Sequence, residues 1–464
     1  MNQNYIYDIV APLKLQFYYI IVVISFFYIV YKYRNESLLL LIILCFYSGL
    51  AAYMGKRIEN PYKIFLVALT IYLAIKYKVS NYINKREAQV IIAFILFSLS
   101  FFLSAYINGD YLELTFSQYG KYFTPFILFL ILTKYSKSPL MKIEKIGWLL
   151  FQLISIQVIL SVFKFLIMGT HESIVGSITY IGGGQAAILP VLGFILLWHN
   201  KRGNFKKYDW LFVILLLFIG FVNYKRAIWF VFPVIAGLYF VFIKRKVNIK
   251  YAVLVLFAAP LIFYFGVRLN PTLNKEQKIW GSFDLDYVLN YAEVYSFGKD
   301  TEQDIGTGRG GATLLLFDKL TSSDYWTFNN IFGYGLNKIY TKSYDEFDEY
   351  DFGINSLGSA TGVFQSFICG GYLEVAATLF YILSLLLCIK MKKIRYVFAF
   401  LIFWDYFFYS GLILRTQALS ILFFYSIIYS NERWKAYLTI SKGFFHYKIR
   451  FKENPDLILN KKFI

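Results

Sequence analysis

The feature that most limits what this chain can become is a long series of apolar runs close to bilayer length. A helix crossing the hydrocarbon layer needs about 20 largely apolar residues, and its backbone groups must satisfy one another there because no water reaches them. Leu15 to Tyr31 is the first such run, and short polar stretches separate it from the others. Read this way, the 464 residues predict spans near 15–31, 37–53, 63–75, 89–107, 119–134, 146–168, 178–198, 209–223, 227–243, 250–268, 361–389, 396–413 and 416–430. The expected fold class is an all-α polytopic membrane protein with about 12–13 transmembrane helices and one large, partly helical periplasmic loop. A composition of 58% hydrophobic residues argues against an ordinary soluble surface. The N-terminus lacks a basic start and no small-residue cleavage site follows the first run, so that run is expected to stay as a helix.

Lys and Arg near the span ends give an orientation. Lys76, Lys78, Lys85 and Arg86 make one basic link, and Lys134, Lys137, Lys142 and Lys145 another. Lys201, Arg202, Lys206 and Lys207, then Lys244 to Lys250, then Lys390 to Arg395, continue the alternation, and such links face the cytoplasm. The intervening links, Asn108 to Ser117 and Gly169 to Ser177, are poor in Lys and Arg and are expected outside. The same parity puts the N-terminus outside, although Lys56 and Arg57 run against it. It divides the chain into a bundle of about ten helices over 1–269, a periplasmic loop over 270–357, C-terminal spans over 358–430 and a basic cytoplasmic tail over 431–464. The loop carries 14 Asp and Glu against seven Lys and Arg, unlike a cytoplasmic segment. Trp280, Tyr287, Leu314, Leu315, Phe317, Trp326 and Phe328 supply apolar surface for short helices in it, one of them expected over Ala312 to Leu320.

A net charge of +19 would suggest nucleic-acid binding in a soluble protein; here it sets topology, and no nucleic-acid partner is expected. Cys45, Cys369 and Cys388 fall in apolar runs without paired metal spacing, and His171, His199 and His446 lie far apart, so neither a metal nor a cofactor is expected.

Several residues carry possible chemistry. Asn223-Tyr224-Lys225-Arg226 is a short outward turn between two apolar spans. Arg226 there is either a snorkelling helix end or, with Lys225, an anion site suited to a pyrophosphate. Arg309, in Gly306-Thr307-Gly308-Arg309-Gly310-Gly311, is either plain turn chemistry or an oxyanion cradle before a helix. The run lacks the Gly-Lys-Ser/Thr ending of a nucleotide-binding loop. Arg415 is a third cation at an outer span end, or an anchor. The acidic run from Tyr344 to Gly353 reads first as a solvated face and does not match a calcium loop. Glu113 and Glu172 on outer links are possible bases. Glu374 and Asp405 are ionisable at membrane depth, which makes each either functional or paired within the bundle. Gln185, after Gly182-Gly183-Gly184, either follows a helix-packing run or contacts a polar head group.

Gly308-Arg309 in a large outer loop, then Trp326, then Ile331-Phe332-Gly333-Tyr334-Gly335 resembles a stretch of the O-antigen polymerase and ligase superfamily. Tyr224-Lys225-Arg226-Ala227 is similar to that family's Ser-Arg turn, and the glycine-rich seventh span with Gln185 to its Gly-Asn-Ala segment. Span count and loop position agree, so the resemblance covers most of the chain. It implies a metal-independent inverting glycosyltransferase in the bacterial inner membrane, acting on undecaprenyl-diphosphate-linked glycans at the outer face. Arg226 and Arg309 would then be catalytic, stabilising the departing diphosphate, with Lys225, Tyr224, Gln185, Tyr334 and Arg415 binding substrate. Membrane lipids and a chain-length regulator protein are the further partners implied. Ligases carry a histidine soon after the loop; Asn355 to Thr361 has none. The expectation is therefore polymerisation of O-antigen or capsular repeat units. A ligase transferring glycan to lipid A core is the alternative within the family, and a flippase for lipid-linked units the alternative outside it. Flippases tend to show internal repeats, and no repeat is evident here.

Overall fold

The computed structural model describes residues 12–79, 84–136, 141–168, 174–180, 184–201, 205–223, 225, 227–240, 260–261, 263–278, 280–297, 326–337 and 361–431. Among them every regular element is helical: α1 Pro12–Tyr33, α2 Ser37–Phe46, α3 Ser48–Tyr53, α4 Lys56–Lys76, α5 Lys85–Ile107, α6 Leu112–Ser136, α7 Met141–Met168, α8 Gln185–Lys201, α9 Lys207–Val222 and α10 Ala227–Leu238. After α11 over 263–269 come a 3-10 turn Pro271–Leu273, α12 Leu285–Phe297, α13 Phe328–Phe332, α14 Gly362–Cys388, α15 Lys392–Phe407, α16 Leu412–Arg415 and α17 over 417–431. Five of these hold stretches long and apolar enough to cross a membrane: Gln16–Tyr33, Arg57–Lys76, Lys85–Ile107, Ile143–Ile167 and Gly362–Cys388. The outward faces are apolar too. Ile24, Phe27 and Tyr28 on α1 and Ile64, Phe65 and Ile75 on α4 are exposed, as side chains turned toward lipid would be. The chain is thus an all-α, membrane-associated protein.

Local chemistry starts the helices where the apolar runs begin. Asn84 opens α5 with a reciprocal cap: its Oδ1 accepts from the Arg86 and Glu87 N–H groups at 3.0 Å, and Glu87 accepts from the Asn84 N–H at 3.1 Å. Thr361 caps α14 by accepting from Phe364 N–H. The core then forms where apolar faces meet, most extensively between α5 and α14.

Contacts sort the links into two ends. At one, Lys76 reaches Ser37, Lys134 the Lys78 carbonyl and Lys145 the Glu36 carboxylate, while Asn200 donates to Gly147 and Lys390 to Asn431. Apart from the link at Glu36 and Ser37 these are links marked as basic in the sequence, and the basic link Lys244 to Lys250 lies outside the described residues. At the other, Gly49 N–H donates to Ser177 O at 2.9 Å, Asn60 to Glu113 at 3.1 Å and Tyr409 to Gly184 O at 3.1 Å.

Several element boundaries differ from the sequence reading. The expected span 37–53 is divided at Tyr47, where Ser48 and Gly49 turn to bond the 174–180 segment. The span expected from 119 begins at Leu112, which places Glu113 in its first turn and not in a loop. The span expected from 178 begins at Gln185. The span expected over 396–413 ends at Phe407, and a left-handed Gly411 starts the separate turn α16. A run of apolar residues carries no signal for such breaks, because the same side chains are buried on either side of them.

In the stretch 270–357 the described parts carry the 3-10 turn, α12 and α13. Asn274 ties the first part together, donating to the Asn270 and Lys278 carbonyls. Trp280 lies against the Arg268 guanidinium, 4.5 Å from its ring centre, and not in a core. Phe328 begins the short helix α13, and it and Trp326 are 58% and 80% exposed. The expected helix Ala312 to Leu320 and the acidic run Tyr344 to Gly353 lie outside the described residues.

Candidate functional site

A cavity of about 840 Å³ opens at the end away from the basic links. Ser48, Gly49 and Ala52 of α3 border it, together with several other pieces of chain. From α4 come Glu59, Asn60, Lys63 and Val67; from α6, Glu113, Ser117, Gly120 and Lys121. Glu113, Ser117 and Lys121 recur every four residues on α6, which puts that polar stripe on one helical face. Ile178, Thr179 and Gln185 close another side, and Leu412, Arg415, Thr416 and Gln417 a further one.

The polar groups are held by specific bonds. Glu59 pairs with Lys63 one turn on, at 2.7 Å. Asn60 bridges α4 to α6 through the Glu113 carboxylate. Lys121 donates to Gln118 at 2.7 Å, and Arg415 donates to the side-chain oxygen of Gln365 in the first turn of α14. Gln185 presents a buried side-chain oxygen without a hydrogen-bond partner. Lys121 and Arg415 also border a small crevice, lined further by Gln118, Gln365 and Glu374.

A second assembly stands beside it. About a third of the way along α14, Gly370 and Gly371 leave helical geometry, Gly371 at φ 62°. The Ile331-to-Gly335 stretch docks into that break. A Cβ on Gly371 would lie 2.4 Å from the Ile331 carbonyl oxygen, and one on Gly333 2.5 Å from the Gly370 nitrogen. Tyr334 N–H donates to Ile368 O at 2.7 Å, and its hydroxyl bonds Asn330 at 3.2 Å. Asp110, between α5 and α6, holds the stretch from the other side, accepting from the Leu336 and Asn337 N–H groups at 2.7 and 2.8 Å. Burial pushes the Asp110 carboxyl above its ordinary range, against the opposing pull of those two hydrogen bonds.

Of the residues singled out in the sequence, Gln185, Arg415 and Glu113 come together in the cavity. Tyr334 belongs to the docking assembly. Lys225 sits in the turn after α9, its N–H on the Gly220 carbonyl. Arg226, Tyr224, Arg309 and Glu172 lie outside the described residues. Asp405 proves structural: its carboxylate accepts from the Leu412 and Ile413 N–H groups and starts α16. Glu374 is buried with Oε2 unpartnered at the helix break. Cys45, Cys369 and Cys388 are buried thiols.

Lys121, Lys63 and Glu59 escaped the sequence reading because each falls inside or beside an apolar run. A signal was present: Glu113, Ser117 and Lys121 recur every four residues in a helix otherwise rich in aromatic and aliphatic side chains. Comparison with protein-family models, curated proteins and solved structures returns no match for this chain.

Proposed function

We propose that this protein polymerises undecaprenyl-diphosphate-linked repeat units of O-antigen or capsular polysaccharide at the outer face of the bacterial inner membrane. It would do so as an inverting glycosyltransferase without a metal. The observation that carries the reading is the cavity: at one end of a membrane-associated bundle, apolar walls, cations, carboxylates and an unpartnered amide oxygen share one space. A lipid-linked glycan presents the matching set of tail, phosphates and hydroxyls. In the reaction an acceptor hydroxyl attacks the anomeric carbon of the donor sugar, and the bond from that carbon to the diphosphate oxygen breaks. The diphosphate leaves with the electron pair, and the hydroxyl proton passes to a carboxylate, for which Glu113 is the nearest in kind. Arg226 and Arg309 are proposed to neutralise the charge that grows on the leaving diphosphate. About 90 residues connecting the last described residue of α11 to α14 suit the outer, partly helical loop such enzymes carry, within a bundle of 12–13 spans.

Gel profiles of surface polysaccharide test the reading. Deleting a polymerase leaves surface glycan one unit long; deleting a ligase strands long chains on the carrier lipid; deleting a flippase strands single units inside. Arg309→Ala and Arg226→Ala should each abolish long chains while the protein remains in the membrane, and Lys at either position should rescue poorly because it lacks the bidentate fork. Full-length polysaccharide from both alanine variants would sink the proposed roles.

A further inference from the structure

We infer that the break in α14 holds a sodium ion, bound by the Glu374 carboxylate together with the hydroxyls of Thr378 and Tyr406. The inference stands on these side chains and does not rest on the polymerase reading.

The site begins with a carboxylate that no other side chain answers. Glu374 is 3% exposed and lies in the membrane-crossing stretch of α14, where such a group is costly unless a positive charge or hydrogen bonds meet it. Its Oε2 has no hydrogen-bond partner, and it forms no ion pair among the described residues. Lys121 and Arg415 border the same crevice, but Lys121 donates to Gln118 and Arg415 to Gln365.

Two more oxygens share this condition. Thr378 Oγ1 and the Tyr406 hydroxyl are buried without a hydrogen-bond partner. Glu374 and Thr378, four residues apart on α14, lie on one helical face, and Tyr406 comes to it from α15. The Tyr406 hydroxyl stands near Thr378, Ser366 and the Glu374 charge but closes no hydrogen bond with any of them. Gly370 leaves the carboxylate its place, because a Cβ there would collide with Glu374 Oε2.

Spacing and charge select the occupant. A shared proton joins two oxygens and draws them to about 2.5–3.0 Å, whereas a cation gathers several oxygens that do not touch one another. One carboxylate balances one positive charge. A divalent ion would leave a net charge buried at that depth, and no group of three or more His, Cys, Asp or Glu among the described residues offers it more. An all-oxygen set suits a hard cation, which needs none of the cysteine or histidine spacing that the sequence lacks. The adjoining crevice, of about 10 Å³, admits one water-sized body, a fit for an ion without its hydration shell. This ion takes no part in glycosyl transfer. It neutralises a carboxylate at the point where the Ile331-to-Gly335 stretch docks into α14.

The test is binding of radiolabelled sodium to the full-length protein in lipid nanodiscs, with thermal unfolding followed in sodium, potassium and choline chloride at equal ionic strength. The label should bind and saturate, and sodium should raise the melting temperature above that in choline by about 3 °C or more. Glu374→Gln, which keeps the shape and removes the charge, should abolish both the bound label and the sodium response. Thr378→Val and Tyr406→Phe each remove one ligand and should weaken sodium binding about tenfold, which keeps the inference open to refutation even if the glutamine variant fails to fold. An equal gain in potassium would overturn the assignment to sodium. Absence of bound label in the unaltered protein, or binding unchanged in all three variants, would overturn the site itself.

Discussion

The junction between α13 and α14 and the cavity between α4 and α6 occupy the same end of the bundle but are built in opposite ways. At the junction there is no spare room. Gly333 and Gly371 bring backbone against backbone, and the Asp110 carboxylate takes two N–H groups that the turn leaves over. In the cavity, polar side chains stand around open space and are tied to one another by single bonds. The glycine stretch that resembles a functional motif therefore serves as a packing device, while charged groups collect where packing is loose. A motif can mark the neighbourhood of a site without supplying its chemistry.

The contrast predicts that stability and function respond in opposite order. Gly371→Ala should be the most damaging change to the fold. Its φ is one that side chains rarely adopt, and the added Cβ meets the Ile331 carbonyl, so strain and overpacking together should cost about 3 kcal/mol or more. Thermal unfolding in detergent checks this, and a melting temperature equal to that of the unaltered protein would remove the tight junction from the account.

Asp110→Ala should come next, at about 2 kcal/mol, because it leaves two N–H groups without their acceptor. Its pH dependence has a definite sign. Burial raises the folded-state pKa, so the folded form holds its proton more tightly than the unfolded chain does. The contribution of that shift is fully present below the unfolded carboxyl value and is lost as pH rises through the folded one. The melting-temperature advantage of the unaltered protein over Asp110→Asn should therefore grow as the solution is acidified into that window. An advantage that shrinks on acidification would mean the two hydrogen bonds outweigh burial.

Glu59→Gln should change stability least, by less than about 0.5 kcal/mol, since its pair with Lys63 is partly solvated and one helical turn long. If glycan length or lipid binding changes in this variant while the melting temperature holds, the cavity is chemical and not structural.

Much of the architecture was legible beforehand. Lys76, Lys134 and Lys145 gather at one end because the same asymmetry that marks a membrane link also keeps charged side chains together in water. Glu113, Gln185 and Arg415 were each visible as polar groups near span ends, and no pairwise signal indicated that they share a space. Lys121 was hidden because an eight-residue offset along an apolar helix looks like a lapse in hydropathy until the opposing wall is known. Asp405 looked functional by its cost at membrane depth and proved to be a helix cap, since a carboxylate and the N–H groups seven and eight residues later can meet only if the chain turns back at Gly411.

By itself the sequence determined the solvent and the class of the fold: runs of some 20 apolar residues leave a backbone little choice except helix, and the basic links divide the bundle's ends. Only the tertiary structure decided where those helices break, which glycines touch backbone and which polar residues face one cavity. Hydropathy is a property of single segments; breaks, close approaches and cavities depend on what stands opposite, and residues as far apart in the chain as Glu59 and Arg415 become neighbours only when the bundle closes.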